Sequence, residues 1–125
     1  MKNSIIILRS KPVNWQGDSL KVLKGFSNAA KKDIGIGLRN LQNSKPALDV
    51  KPVKDVGAGV FELRAQDERT WYRVLYIVAS GRIFVLHAFE KQSNRIAKND
   101  IGVASERLLV VRRQLAMEKK SEKKE

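Results

Sequence analysis

Four cationic or titratable side chains lie within apolar stretches in the second half of the chain, and these residues could carry chemistry. They are Arg64, Arg73, His87 and Lys91. Arg73 is the most informative, because an unpaired charge within so apolar a run would be costly and must meet either a carboxylate or an anionic ligand. Histidine is the side chain that changes charge nearest to neutral pH, so His87 is a candidate acid or base.

Each of these residues also has a structural interpretation, which the sequence leaves open. Arg64 could pair with Glu62 or with a helix carboxylate, and Lys91 could be an ordinary residue at the end of a strand. His87 could be a hydrogen-bonded residue of the core or its rim. A shared role is favoured by position, because one strand register places all four side chains on a common surface without a bulge.

The elements that must position these residues are three strands of an antiparallel meander. Aromatic and β-branched residues dominate three runs that are separated by short polar or glycine-containing breaks. The runs are 60–64, 71–76 and 84–92. Ser80-Gly81 is predicted to form a tight turn between the last two. Alternation along the third run predicts that Val85 shares the face of His87, with Phe84 and Leu86 on the opposite face.

A further strand is expected before the meander. Ile5 to Leu8 is a short β-branched run that could form it, and the sequence from Pro12 to Gly17 is predicted to be a break. The stretch 45–56 holds two prolines and three lysines, so it is predicted to be a connection and not an inner strand. Three turn residues, 57–59, then lead into the meander.

Apolar residues at spacings of three and four predict three helices. The first begins after Asp18 or Ser19, the second runs from Ser27 to about Asn43, and the third begins after Asn99 or Asp100. The order β-α-α-β-β-β-α defines an α+β fold, with helices packed on a small, mainly antiparallel sheet.

Length and composition predict a single folded domain that binds a polyanion. The 125 residues are enough for a single domain, taken as 1–117, and the charged segment 118–125 is predicted to be a frayed or disordered tail. The net charge is +12, and residues 1–54 hold 11 basic and 3 acidic residues, a net of +8. Such a balance is typical of nucleic-acid partners.

The same composition argues against several other classes of protein. The chain has no cysteine and one histidine, so we expect neither disulfides nor a metal site, and no cofactor. The apolar run at Ile5 to Leu8 is too short to span a membrane, so a cytoplasmic location is expected.

Several short motifs recur in a specific order between about residues 13 and 110. They are 15–19 (WQGDS), 34–35 with 41–42 (IG, LQ), 51–54 (KPVK), 59–64 (GVFELR), 72–76 (YRVLY), 86–91 (LHAFEK), and the helix near 100–108. In these motifs the chain resembles the RelE/HigB-type toxins of type II toxin-antitoxin systems, specifically the phage-derived gene-product-49-like branch of HigB.

The resemblance implies a compact RelE-like fold, related to that of microbial ribonucleases. It implies a metal-independent endoribonuclease that cuts messenger RNA in the ribosomal A site and so inhibits translation. It also implies a cognate helix-turn-helix antitoxin, similar to HigA, with which the toxin forms a hetero-oligomer.

Carried onto this sequence, the resemblance implies two sets of residues. The catalytic set is Arg73, Arg64 and Lys91, with the arginines on the scissile phosphate, and His87 is added to it on its acid–base chemistry alone. The RNA-binding set is Lys51, Lys54 and Gln92. The chain departs from its relatives at Gln92, where many have a second lysine, and at Glu62, where the prototype toxins have lysine. No tyrosine follows Tyr76 to match the prototype's catalytic one.

The alternative is a non-catalytic protein that uses the same basic surface. It would bind RNA or the ribosome, or would bind an antitoxin as a regulatory partner. Aromatic pairs that would suit a base-stacking platform are absent from the sheet pattern, and no base-reading helix is evident. These absences disfavour a general single-strand binder and a sequence-specific DNA binder.

Overall fold

The computed structural model describes residues 10–46 and 50–123, which form a five-stranded sheet with three helices. The strands are β1 (Val13–Trp15), β2 (Val50–Pro52), β3 (Val60–Gln66), β4 (Trp71–Ala79) and β5 (Arg82–Lys91). The helices are α1 (Ser19–Lys24), α2 (Asn28–Gln42) and α3 (Lys98–Lys123). The α+β class is confirmed. The strand expected at Ile5 to Leu8 lies outside the described residues.

The sheet has the order β1-β5-β4-β3-β2, with β1 parallel to β5 and every other pair antiparallel. The predicted meander is therefore confirmed as its three central strands. Ser80 and Gly81 form the tight turn between β4 and β5, both with positive φ, as the turns that suit a two-residue hairpin require.

Both edge strands lie where the sequence predicts none. The predicted break at 12–17 is wrong, because Val13–Trp15 forms β1 and the amide of Ile83 donates to the carbonyl of Pro12. Three residues are too few for periodicity to reveal a strand. The 45–56 stretch contains β2, an exposed edge strand beside 61–63, where a proline is tolerated. The expectation that this stretch is not an inner strand is confirmed, because β2 lies at the edge of the sheet.

Helices cover the two faces of the sheet and create two hydrophobic clusters. On one face, α2 packs Ala30, Ile34 and Leu38 against side chains of β3, β4 and β5. On the other, α3 contributes Ala104 and its later apolar residues to a second cluster. Because both faces are buried, the central strands are nearly continuously apolar, and a charge within them stands out.

A register shift between Leu75 and Tyr76 overturns the predicted alternation in β5. Leu75 pairs with His87 and Tyr76 with Val85, so the intervening Leu86 has no cross-strand partner in the ladder. Phe84 and Leu86 pack in the α3 cluster and Val85 in the α2 cluster, as predicted, but His87 bonds to Asp100 of α3 and so does not share the face of Val85. The register considered for the common surface contains no bulge, whereas the structure has one, because the pattern of apolar residues does not reveal an extra residue in a strand that is buried on both faces.

The boundaries of α1 and α2 agree with the sequence, whereas α3 begins before its predicted start and continues to Lys123, into the segment predicted to be a tail. Ser27 caps α2, its hydroxyl accepting a hydrogen bond from the amide of Ala30 at 3.2 Å, and Asn43 ends the helix. α3 begins at Lys98, so Asn99 and Asp100 lie in its first turn and do not precede it. The Asp100 side chain instead bonds to His87.

Candidate functional site

A cavity of about 710 Å³ lies where β3, β4 and β5 meet α2, and we call it the basic pocket. Its cationic side chains are Arg64 on β3, Arg73 on β4 and Lys91 at the end of β5. The strand register explains their proximity, because Arg64 lies directly opposite Arg73 and Trp71 directly opposite Lys91. Two like charges directly opposite each other are destabilising unless other groups offset them.

Glu62 is the carboxylate that offsets part of this charge. Its Oε1 lies 3.6 Å from Nε of Arg73, and the side chains of both residues are at least nine-tenths buried. Arg73 also donates from Nη1 to the carbonyl of Tyr72 at 2.9 Å. The second carboxylate oxygen, Oε2 of Glu62, is buried and accepts no hydrogen bond from any residue in the described ranges. Glu62 therefore holds Arg73 in place chiefly through its charge.

Lys91 is the group in the basic pocket whose ionisation is altered. Partial burial is the largest cause that lowers the pKa of Lys91, followed by the charge of Arg73, with smaller contributions from Lys51 and Arg64. Glu62 opposes these effects. A lysine that gives up its proton more readily is suited to proton donation, so Lys91 combines a phosphate-binding charge with an acid's chemistry.

A second cavity of about 900 Å³ adjoins the basic pocket, and we call it the basic groove. The two cavities share Lys91 and Asn94. The other cations of the groove come from β2 and its following turn, the loop after β5, and the start of α3. They are Lys51, Lys54, Arg95 and Lys98. A strand of nucleic acid could pass from the pocket into this groove and meet a cation at each step.

His87 lines neither cavity and belongs to a separate network. Its Nε2 lies 2.7 Å from Oδ1 of Asp100, and its Nδ1 lies 3.5 Å from Nη1 of Arg107. Since arginine can only donate, this arrangement fits the tautomer with the proton on Nε2. Both ring nitrogens are therefore engaged in joining β5 to α3.

Arg107 extends this network to the start of α1. It donates from Nη1 to the Leu86 carbonyl at 3.0 Å and from Nη2 to Asp18 at 2.9 Å. The hydrogen bond from Arg107 lowers the pKa of the exposed Asp18 carboxyl. Gly17 has a positive φ, and a Cβ there would lie 2.5 Å from the Arg107 guanidinium. The 15–19 motif thus provides the space and the anion that this arginine needs.

The structure brings together part of the predicted site. Arg64, Arg73 and Lys91 share the basic pocket, and Lys51 and Lys54 line the adjoining groove. His87 lies in the separate network, and Gln92 is exposed and lines neither cavity. The roles assigned to all seven residues stay predictions.

Sequence reasoning missed several residues of the two cavities. Those in the basic pocket include Asp33, Ile36, Asn40 and Trp71, and those in the basic groove include Arg95 and Lys98. Alternation along the strand puts Trp71 on the face of Arg73, which is a usable signal. The α2 residues gave none, because their approach to the sheet edge depends on tertiary packing.

The fold and the two cavities define a small, basic α+β protein whose strand and loop cations line two adjoining cavities. Comparison with known families identifies the family. The profile of the family described as phage-derived protein Gp49-like (DUF891) matches residues 21–109, well over half of the chain. The chain belongs to this family, which is associated with toxin-antitoxin systems and is HigB/RelE-like. A search of curated proteins found no significant match.

Two negative findings complete the site's description. Over residues 10–46 and 50–123, no helix has the length and apolar character to cross a membrane. Within the same ranges, no group of three or more histidine, cysteine, aspartate or glutamate side chains is placed to hold a metal ion.

Proposed function

We propose that this protein is the toxin of a type II toxin-antitoxin system, with a RelE-like fold, and that it cleaves messenger RNA on the ribosome. The observation that carries the proposal is the placement of Arg64 opposite Arg73, with Lys91 on the same cavity. Two guanidinium groups and an ammonium that converge on one pocket suit a phosphate that gains negative charge during reaction. Membership in a toxin-associated family supports the biological role.

The proposed reaction is attack of a ribose 2′-hydroxyl on the adjacent phosphate: the O2′–P bond forms, the P–O5′ bond breaks, and the products are a 2′,3′-cyclic phosphate and a 5′-hydroxyl. The proton of the 2′-hydroxyl passes to solvent water. Arg73 and Arg64 bind the non-bridging oxygens and stabilise the charge that develops on them. Lys91 delivers a proton to the departing oxygen, for which its lowered pKa is suited. Glu62 is a positioning residue that orients Arg73.

The remaining cations suggest how the substrate is held. Lys51, Lys54, Arg95 and Lys98 line the groove that begins at Lys91, so we propose that the RNA backbone continues along it. Such contacts are independent of sequence and would add affinity for the ribosome-bound message. Family membership indicates an antitoxin partner, and we propose that it is a helix-turn-helix protein that forms a hetero-oligomer with this chain.

Mapping of RNA ends after induction in growing cells tests the proposal. The expected result is rapid growth arrest, with new 5′ ends at a fixed position within codons of translated messages. The same purified protein should cut a message on ribosomes far faster than the naked message. Arg113 is exposed on α3 and lines neither cavity, so Arg113→Ala should behave as wild type.

Growth arrest without any new RNA ends would contradict nuclease activity and support the non-catalytic alternative, in which the protein binds RNA or the ribosome without cleaving. Equal rates of cleavage of naked and ribosome-bound message would show that cleavage does not depend on the ribosome.

A further inference from the structure

The two ends of the basic pocket differ in chemistry. The end formed by strands carries Arg64, Arg73 and Lys91, whereas the end formed by α2 carries Asp33, Ile36, Gly37 and Asn40. Trp71, at the start of β4, also lines this cavity. A nucleotide is divided in the same way, into an anionic phosphate and a flat base with polar edges.

Asp33 makes the α2 end unsuited to phosphate. A carboxylate repels a phosphate, so the phosphate is expected at the arginine end of the cavity. Carboxylates act only as hydrogen-bond acceptors when ionised, and they can accept two parallel donors. Of the two parts of a nucleotide, the one that fits beside Asp33 is therefore the base, through its N–H donors.

Two exposed apolar side chains, one on α2 and one on β4, give the cavity a surface for a flat ring. Ile36 is 49% exposed and Trp71 is 43% exposed, which is unusual for such large apolar groups beside a buried sheet. The approach of α2 to β3 depends on Gly37, since a Cβ there would lie 2.9 Å from Cδ2 of Leu63. This close packing brings Ile36 and Asp33 to the cavity that the strand arginines line.

We propose that the α2 end of the basic pocket is a base-recognition site that takes a guanine next to the scissile phosphate. This inference rests on the proposed function, since the phosphate is the one bound by Arg64 and Arg73. Asp33 accepts hydrogen bonds from N1–H and N2–H of guanine, Asn40 contributes a further polar contact, and Trp71 stacks on the ring.

Guanine is favoured over the other bases by the number of donors that it presents side by side. Its N1–H and N2–H point in the same direction and match the two oxygens of one carboxylate. Adenine and cytosine each offer an amino group beside a ring nitrogen that only accepts, and uracil offers one N–H between two carbonyls. Asp33 would meet an acceptor lone pair with each of these three, so the site discriminates by repulsion as well as attraction.

Nucleoside 3′,5′-bisphosphates are suitable probes, because each carries one base with a phosphate on either side and cannot be cleaved by the proposed reaction. Amide NMR titrations of the full chain at fixed ionic strength measure the four affinities. Guanosine 3′,5′-bisphosphate is expected to bind about tenfold or more tightly than the other three, and to shift resonances of Asp33 and Trp71 most.

Two variants separate the base contacts from the phosphate contacts. Asp33→Asn should abolish the preference for guanosine, because the guanosine probe loses its two acceptors while the other three probes lose a repelling carboxylate and bind more tightly. Trp71→Leu should weaken all four by about tenfold, the effect of losing a stacked aromatic. Glu106→Gln removes an exposed carboxylate from α3 and is the matched control, with wild-type affinities expected.

Equal affinities of the wild-type protein for the four probes would overturn this inference, as would a guanosine preference that survives in Asp33→Asn. If Trp71→Leu lost antitoxin binding but kept all nucleotide affinities, the exposed apolar surface would belong to a protein partner and the inference would fail.

The same data distinguish this inference from the proposed function. Guanosine binding at Asp33 in a protein that cuts no message would overturn the nuclease and leave the base site standing. Cleavage by wild type at sites with no guanine preference would overturn the base site alone. Asp33→Asn is expected to cut translated messages more slowly at sites that contain guanine, so its cut sites should no longer be enriched in guanine.

Discussion

The same sheet carries two clusters in which cations lie beside carboxylates. The clusters differ in whether their side chains line a cavity or join elements of the fold. In the basic pocket, Arg64, Arg73 and Lys91 line a cavity of about 710 Å³. In the network around Arg107, each contact of the arginine and of His87 joins one part of the fold to another. The first cluster faces a space that a ligand can enter, and the second connects α1, β5 and α3.

This difference teaches that residue type alone does not identify a catalytic group. His87 is the residue that general acid–base chemistry would select first, yet its two ring nitrogens contact Asp100 and Arg107. Nothing in the sequence distinguishes Lys91 from an ordinary lysine, but burial and the neighbouring Arg73 lower its pKa in the folded protein. The comparison predicts that changes in the pocket reduce activity, whereas changes in the network reduce stability.

Loss of Arg73 should have the largest effect on activity. Arg73→Ala is expected to lower ribosome-dependent cleavage about 10²–10³-fold, the usual cost of removing one group that stabilises a charged transition state. The change also removes the buried guanidinium that faces the Glu62 carboxylate, which is destabilising. Cleavage rates on a defined ribosome-bound message, measured alongside thermal unfolding, separate the two consequences.

A neutral pair provides the control for Arg73. Arg73→Gln combined with Glu62→Gln removes both charges at similar volume, so it should unfold near the wild-type temperature while remaining inactive. Glu62→Gln alone keeps the arginine and should retain more activity than either Arg73 variant. A well-folded double variant with wild-type cleavage would exclude Arg73 from the reaction and remove the basis of the comparison.

The groove lysines should have the next largest effect, on binding. Lys51→Ala with Lys54→Ala is expected to weaken association with RNA. Each lost contact to a phosphate of single-stranded RNA lowers the slope of log affinity against log salt by about 0.7, so the double variant should lower it by about 1.4. Affinities for a short single-stranded RNA over a salt series give this slope. Lys119→Ala with Lys120→Ala, on the last turns of α3, removes equal charge from outside both cavities. Equal slope changes in the two double variants would show that general charge, not the groove, binds the RNA.

Changes in the Arg107 network should lower stability and leave catalysis intact. Arg107→Ala removes the donor to the Leu86 carbonyl and to Asp18, and is expected to cost about 1–3 kcal/mol in the free energy of unfolding. Denaturant unfolding measures this cost, and Arg113→Ala on the same helix should show almost none. Cleavage by the folded fraction should match wild type. A large loss of cleavage at unchanged stability would instead place the network in the active site.

The sequence predicted the centre of the fold better than its edges. The three meander strands, the α2 helix and the Ser80-Gly81 turn follow from periodicity and turn chemistry, which act over a few residues. The two edge strands were missed because each has three residues and gains its order from a neighbouring strand distant in the chain. The bulge at Leu86 was missed because both faces of β5 are apolar.

The candidate site was predictable to the same extent. Parity along β3 and β4 correctly placed Arg64 with Arg73, because the cross-strand register there is regular. Parity could not reveal Asp33 and Asn40, which reach the cavity through the packing of α2. Nor could it separate His87 from the arginines, because that separation depends on where Asp100 and Arg107 of α3 lie.

The smallest expected effect is a change in the pH at which Lys91 loses its proton, and it most directly reports the electrostatics of the pocket. Lysine donates a proton only while charged, so activity should fall as pH rises through the lowered pKa of Lys91, earlier than for an ordinary lysine. Arg64→Ala removes a repelling cation and should raise this pKa, whereas Glu62→Gln removes an attracting anion and should lower it further. NMR titration of the Lys91 Cε resonance measures both directions without requiring activity, and Lys119 provides an exposed reference in the same sample. Titration midpoints for Lys91 that are unmoved by either change would show that burial alone sets its pKa, and that the charges of the pocket are not coupled.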